Sequence, residues 1–166
     1  MLASEDQLTR NSYYVATAAR DLRFAPLDGS ADCDVCIVGG GLAGLSAALD
    51  LRRAGLEVVV LEGQHVGWGA SGRNGGQALN GLACDMSVIE RQLGPEAARA
   101  TWDMTVEAVQ LIRERCATHG IDCHWQDGFL SAAVNARKAQ ELRRSVADLE
   151  QRYGYQGIRL IAGEQV

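Results

Sequence analysis

The chain has 166 residues, 47% of them hydrophobic, which is enough for a packed core and excludes a disordered chain. Its net charge of -5 excludes the clustered basic surface that a nucleic-acid or anionic-membrane partner demands. No window approaches about 18 uninterrupted apolar residues, and Met1 to Arg10 carries Glu5 and Asp6 with no apolar run behind them, unlike a signal peptide.

The expectation is therefore a soluble, cytoplasmic protein with no membrane and no nucleic-acid partner. Five cysteines at irregular spacing point to reduced thiols instead of a disulfide framework.

Residues 1–31 read as a polar arm. It holds Tyr13 and Tyr14 as apolar anchors and a helix-compatible stretch from Val15 to Ala19. Pro26 and the Asp28 to Ala31 cluster break it, and the arm is expected to pack on the main body.

Residues 32–81 form the organising segment. Asp34 to Val38 predicts a strand, and Leu42 to Ala54 a helix with Leu42, Leu45, Ala48 and Leu49 on one face. Gly55 is placed to end that helix. Glu57 to Leu61 predicts a second strand, rich in valine as in a parallel sheet buried on both faces.

Between the first strand and the helix lies Gly39-Gly-Gly-Leu-Ala-Gly44, a Gly-x-Gly-x-x-Gly run. Gly39 permits a tight turn, Gly41 lets backbone approach a pyrophosphate, and Gly44 allows close helix-strand packing. The following helix aims unpaired amides and its positive dipole end at phosphate oxygens. Glu62 follows 18 residues after Gly44, where a carboxylate accepts from ribose hydroxyls. That carboxylate repels a 2′-phosphate, so FAD or NAD is expected over NADP.

Seven glycines fall between residues 63 and 81, too many for the interior of a regular element. Trp68, Arg73 and Asn74 are not linker residues, so this loop is expected to contact a cofactor.

Residues 82–166 turn helical. Met86 to Leu93 is a short amphipathic helix, and a long one runs from Pro95 through Trp102 to about Ala117, stopped by Gly120. Ile121 to Gln126 and Gly128 to Val134 predict two strands of a hairpin about Asp127-Gly128. Ala136 to Tyr153 is a charged helix burying Leu142, Val146 and Leu149, and Ile158 to Ile161 predicts a last strand.

Other chemistry-bearing residues have plainer readings. Cys33 and Cys36 have redox-motif spacing, but on one strand their sulfurs diverge, so both are read as small buried hydrophobes. Cys116, His119, Cys123 and His124 lack zinc-knuckle spacing, and no metal site is expected. His65, His119 and His124 read as surface or packing residues and Trp102 and Trp125 as core, so no catalytic residue is assigned.

The Gly39 to Gly44 run, Val60-Leu-Glu62 and above all Gly67-Trp-Gly-Ala-Ser-Gly-Arg-Asn-Gly-Gly76 resemble the FAD-dependent D-amino-acid oxidase-like family, in its gamma-glutamylputrescine oxidase branch. The likeness begins near Asn11 and implies an α/β fold: a Rossmann-type FAD-binding βαβ unit with part of an interleaved α+β substrate domain.

It also implies oxidation of a C-N bond in a small-molecule amine or amino acid, by hydride transfer to FAD. Carried onto this sequence, Gly39, Gly40, Gly41, Leu42, Ala43, Gly44 and Glu62 hold the ADP half, with Gly63 beside them. Ala70 and Ser71 approach the pyrophosphate, Asn74, Gly75, Gly76 and Gln77 lie near the flavin ring, and Arg73 neutralises phosphate or faces solvent. Family chains are longer, so this one reads as truncated, and a carboxyl-terminal half of the same protein is expected to be required. The alternatives are an NAD-dependent dehydrogenase, in which the glycine loop has no role, and a catalytically silent dinucleotide-binding fragment.

Overall fold

The structure, a computed structural model, describes residues 12–18 and 24–161. Expectations for Met1 to Arg10, for Ala19 and for residues beyond Ile161 lie outside the described residues. The chain divides into two compact units, Met1–Gln77 and Ala78–Val166.

In the first unit a four-residue helix, α1 (Tyr13–Ala16), precedes strand β1 (Val35–Val38), helix α2 (Leu42–Arg53) and strand β2 (Val58–Leu61). Tyr13 and Tyr14 do not anchor the arm by burial; both are exposed and meet each other edge to face at 5.4 Å. The two strands run parallel, with Val35 opposite Val58 and Val38 opposite Leu61. Parallel neighbours need a crossover, and α2 supplies it. Asp34 starts the ladder, its carboxylate accepting from the Glu57 amide at 2.8 Å.

The face of α2 matches the expected one at Ala48 and Leu49 but not at Leu42 and Leu45. Gly44, Ala48, Leu49 and Leu51 are half-buried, whereas Leu42 is 70% exposed and Leu45 is also exposed. Gly44 sets the rotation, because it alone can sit where a side chain would strike β1.

The sheet is likewise not buried on both faces. Along β1 burial alternates, and Cys36 and Val38 lie on the open side, with Val38 86% exposed. Cys36 is therefore not the buried hydrophobe the sequence suggests, and Cys33 lies ahead of the strand, only half-buried.

The second unit holds helices α3 (Met86–Leu93), α4 (Pro95–Thr118) and α5 (Ala136–Tyr153). Gly94 at φ +85° makes the corner between α3 and α4, and Pro95 opens α4 where no amide is required. Asn135 caps α5 by accepting from the Lys138 amide at 2.9 Å, and Gly154 ends it in the left-handed conformation.

The core of this unit is aromatic. Trp102, Ala98, Val146 and Tyr153 are buried, and the Trp102 ring lies 5.5 Å from Tyr153 and 5.3 Å from Tyr155. Glu90 of α3 pairs with Arg152 of α5, and Arg99 of α4 donates to the Arg152 carbonyl at 3.2 Å.

The three strands expected after residue 120 do not form. A strand needs a ladder partner, and residues 121–134 and 158–161 find none among the described residues. Gly128 does adopt a turn conformation at φ +81°. Its neighbour Asp127, however, accepts from the Trp125 indole at 2.7 Å and pairs with Arg113, which draws the turn toward α4. Trp125 is accordingly not core: it is half-buried beneath the Arg113 guanidinium, 5.3 Å from its ring centre. No helix among the described residues is long and apolar enough to cross a membrane.

Candidate functional site

The site is built where β1 gives way to α2. Gly39 turns at φ +108°, a conformation open to glycine and costly for other residues, and its amide continues the sheet by donating to the Leu61 carbonyl at 2.7 Å. The Gly40 amide donates to Glu62 Oε2 at 2.7 Å, and the Gln64 amide to Glu62 Oε1 at 3.0 Å. Glu62 thus joins the glycine turn to the end of β2.

These amides, the Gly40 bond foremost and then that of Gln64, hold the Glu62 carboxyl below the ordinary glutamate range, so it is anionic at neutral pH. A carboxylate offers about four lone-pair positions, and the two amides leave capacity for further donors.

Each glycine of the motif has a distinct steric role. A Cβ at Gly44 would lie 2.1 Å from the Gly39 carbonyl oxygen and 3.3 Å from Ile37 Cγ2, which no real side chain tolerates. A Cβ at Gly41 would stand 3.1 Å from Ser71 Oγ, and one at Gly40 3.2 Å from the Glu62 carboxylate. Bare glycine keeps these approaches open at the amino end of α2.

The first turn of a helix leaves amides without helical acceptors. Here Ser71 Oγ accepts from the Leu42 amide at 2.8 Å, while the Ala43 and Gly44 amides bond no acceptor among the described residues.

The glycine-rich segment is an ordered loop folded onto itself. The Gly67 amide donates to the Gly40 carbonyl at 2.9 Å, which docks the loop on the motif. A single 3₁₀ turn, Ala70–Gly72, presents Ser71 to α2. Gly72 is compulsory here, since its Cβ would meet the Gly67 carbonyl oxygen at 2.3 Å.

Asn74 Nδ2 donates to the Ser71 carbonyl at 2.9 Å and Asn74 Oδ1 accepts from the Gly76 amide at 2.9 Å, so Asn74 clamps the following turn. Arg73 donates from Nε to the Trp68 carbonyl at 2.9 Å, and its guanidinium covers the Trp68 ring at 4.6 Å.

The structure therefore brings Gly39 to Gly44, Glu62, Gly67 and Ser71 into one place, with Arg73 and Asn74 bracing the loop behind Ser71. Gly63, Gly75 and Gln77 are exposed and Ala70 opens the 3₁₀ turn. Sequence reasoning missed Gln64, and it named Gly67, Trp68 and Gly72 only as members of the glycine-rich loop, without the separate roles the structure gives them. The glycine pair at positions 67 and 72 carried a signal, because glycines five apart within a loop permit two backbones to touch.

The profile of the FAD dependent oxidoreductase family matches residues 34–166, most of the chain and all of this site. The chain belongs to that family. It shares 44% identity over 151 residues with gamma-glutamylputrescine oxidoreductase of Escherichia coli, covering 91% of this chain and 35% of that protein.

A probable oxidoreductase, OrdL, of Haemophilus influenzae is 40% identical over 149 residues, covering 90% of this chain and 35% of the relative. Its namesake in Rhizobium meliloti is 37% identical over 144 residues, covering 87% and 34%. The chain thus spans about a third of the length of these curated relatives. No solved structure matches it.

The residues present fit the family's cofactor. The Cβ-free cradle at Gly40, Gly41 and Gly44, the open amides of α2 and the anionic Glu62 are the donor and acceptor set that an ADP moiety needs.

Proposed function

We propose that this chain is the Rossmann-type dinucleotide-binding portion of an oxidoreductase that oxidises the C-N bond of a small amine or amino acid. One observation carries the reading: the glycine turn, the α2 amino terminus, Glu62 and Ser71 converge through the Gly40–Glu62 and Leu42–Ser71 bonds. Kinship with a gamma-glutamylputrescine oxidoreductase supports the amine substrate class. Bound FAD supplies the two-electron acceptor for a hydride leaving the carbon beside nitrogen.

The chain's own part is to bind and orient. Gly39 to Gly44 bring backbone against the ADP half, and the Ala43 and Gly44 amides meet phosphate oxygens with the dipole of α2 behind them. Glu62, already anionic, accepts from the ribose hydroxyls. Ser71 and Ala70 flank the pyrophosphate, and Gly63 keeps the edge beside Glu62 free of a side chain. Asn74 to Gln77 form the ledge for the flavin end, stiffened by the Asn74 clamp. Arg73 favours that approach by charge while it braces Trp68.

The cofactor is tested by acid release from the protein purified with its endogenous ligand, followed by chromatography and fluorescence. FAD is the expected product; NAD, or no nucleotide after reconstitution with FAD, refutes the reading. The substrate class is tested on the full-length protein containing this chain. Amine-dependent bleaching of the flavin absorbance is expected, and bleaching by hydroxy acids alone contradicts it.

A further inference from the structure

Far along the sequence from the glycine motif, two of the five cysteines stand together. Cys116 lies in the last turn of α4 and Cys123 in the stretch that follows, and the two sulfurs are 3.6 Å apart. The chain reversal between them sets this approach. Gly120 turns at φ +59°, the Ile121 amide donates to the Cys116 carbonyl at 2.8 Å, and the backbone doubles back along the helix end.

The two thiols share one open groove with Arg113, His124 and Trp125. Cys123 is exposed, whereas Cys116 is half-buried. Cys33, Cys36 and Cys84 have no sulfur partner among the described residues.

We propose that Cys116 and Cys123 form a reversible intramolecular disulfide, a thiol switch at the end of α4 that is oxidised by small-molecule disulfides such as oxidised glutathione. A disulfide has an S-S length of about 2.05 Å, so the sulfurs need to close by only about 1.5 Å from their present 3.6 Å. Rotation about the Cα-Cβ bonds supplies movement of that size.

The exposed Cys123 reacts first. Its thiolate attacks one glutathione sulfur, the glutathione S-S bond breaks, and one glutathione leaves as thiolate and takes up the proton that Cys123 released. Cys116 then attacks the Cys123 sulfur of the mixed disulfide, expelling the second glutathione, which takes the Cys116 proton. In sum, two protein thiols lose two electrons and two protons, and one glutathione disulfide becomes two glutathiones.

Burial first, and then the hydrogen bond shared with the Cys123 thiol, push the Cys116 thiol up from the ordinary cysteine range. That suits a resolving cysteine, inert until a neighbour is activated. The bond would tie the chain after Gly120 to α4 and fix Trp125 against Arg113.

The purified chain tests this without any flavin. It is equilibrated across a series of oxidised-to-reduced glutathione ratios, quenched in acid, alkylated with N-ethylmaleimide, and digested with trypsin without reductant. Both cysteines fall on the single tryptic peptide 116–137, whereas Cys84 falls on 74–91. Mass spectrometry is expected to show peptide 116–137 two hydrogens lighter, having lost both alkylation sites together. This conversion should be half complete at a ratio at least tenfold lower than that at which Cys84 acquires glutathione, because intramolecular closure raises effective concentration.

C123S, a change at an exposed loop position, is expected to leave Cys116 alkylated throughout. Two alkyl groups on peptide 116–137 across the whole series overturn the proposal. So does glutathione retained on either cysteine at the end point, or linkage to another peptide.

Discussion

Replacing Gly44 by alanine puts one methyl group at the crossing of α2 and β1. The new Cβ would lie 2.1 Å from the Gly39 carbonyl oxygen and 3.3 Å from Ile37 Cγ2. The nearer atom is backbone, so no flexible side chain can swing aside. Overpacking of this kind costs about 1 to 3 kcal/mol, and a backbone clash belongs at the upper end. Alanine in a helix interior recovers about 0.5 to 1 kcal/mol, leaving a net loss of about 2 kcal/mol.

Relief requires α2 to move off the sheet, which pulls the Gly39 amide from Leu61 and the Gly40 amide from Glu62. Stability and nucleotide binding should therefore fall together. Urea unfolding followed by circular dichroism measures the first and titration with FAD the second, with Gly69→Ala as control, since a Cβ there meets nothing within 4 Å. A Gly44→Ala protein as stable as the parent, with unchanged FAD affinity, would refute the steric reasoning.

The other predictions concern the neighbours of that crossing and the helical unit. Glu62→Gln leaves one acceptor oxygen where the Gly40 and Gln64 amides bond two different carboxylate oxygens, and it turns an NH2 group toward one of those amides. A loss of about 1.5 to 3 kcal/mol is expected in urea unfolding at neutral pH. The depressed Glu62 acidity also sets a pH signature. Its folded value lies below its unfolded one, so its stabilisation is complete above the ordinary glutamate range and is lost as pH falls through the folded value. An acid titration of stability should show this limb in the parent and lack it in Glu62→Gln.

Ser71→Ala removes the acceptor of the Leu42 amide and should cost about 1 kcal/mol, seen as roughly fivefold weaker FAD binding; unchanged affinity would show that Ser71 does not organise the site. Trp102→Ala empties the aromatic core of the helical unit and should cost about 3 to 5 kcal/mol, read as loss of helical ellipticity on mild heating.

The local elements were legible in the sequence wherever short-range rules decide them. Residues 42–53, 86–93, 95–118 and 136–153 carry apolar periodicity between Gly, Pro or Asn stops, and the helices end at those stops. The glycine motif was legible for the same reason, as its roles are steric and local.

What failed depended on partners distant in sequence. Residues 121–134 and 158–161 have strand-like composition, yet strand formation is a property of a pair, and the described residues supply no partner. The α2 face was read only in part: Ala48 and Leu49 are half-buried as expected, but Leu42 and Leu45 are exposed, because contact with β1 is set by the smallest residue, Gly44. Within the site, Glu62 could be named from spacing and Ser71 from the family resemblance, but not that they bond the first amides of the same turn. The approach of Cys116 to Cys123 was likewise invisible, because it depends on the reversal at Gly120.

The central claim is that the turn at Gly39 to Gly44, with Glu62, receives the ADP half of FAD. Isothermal titration of the purified chain with ADP, FAD and riboflavin in turn tests it most directly. ADP and FAD should bind at a single shared site, ADP displacing FAD, while riboflavin, which lacks the ADP half, should not compete. Binding of riboflavin with no binding of ADP, or FAD binding that ADP leaves untouched, would contradict the account.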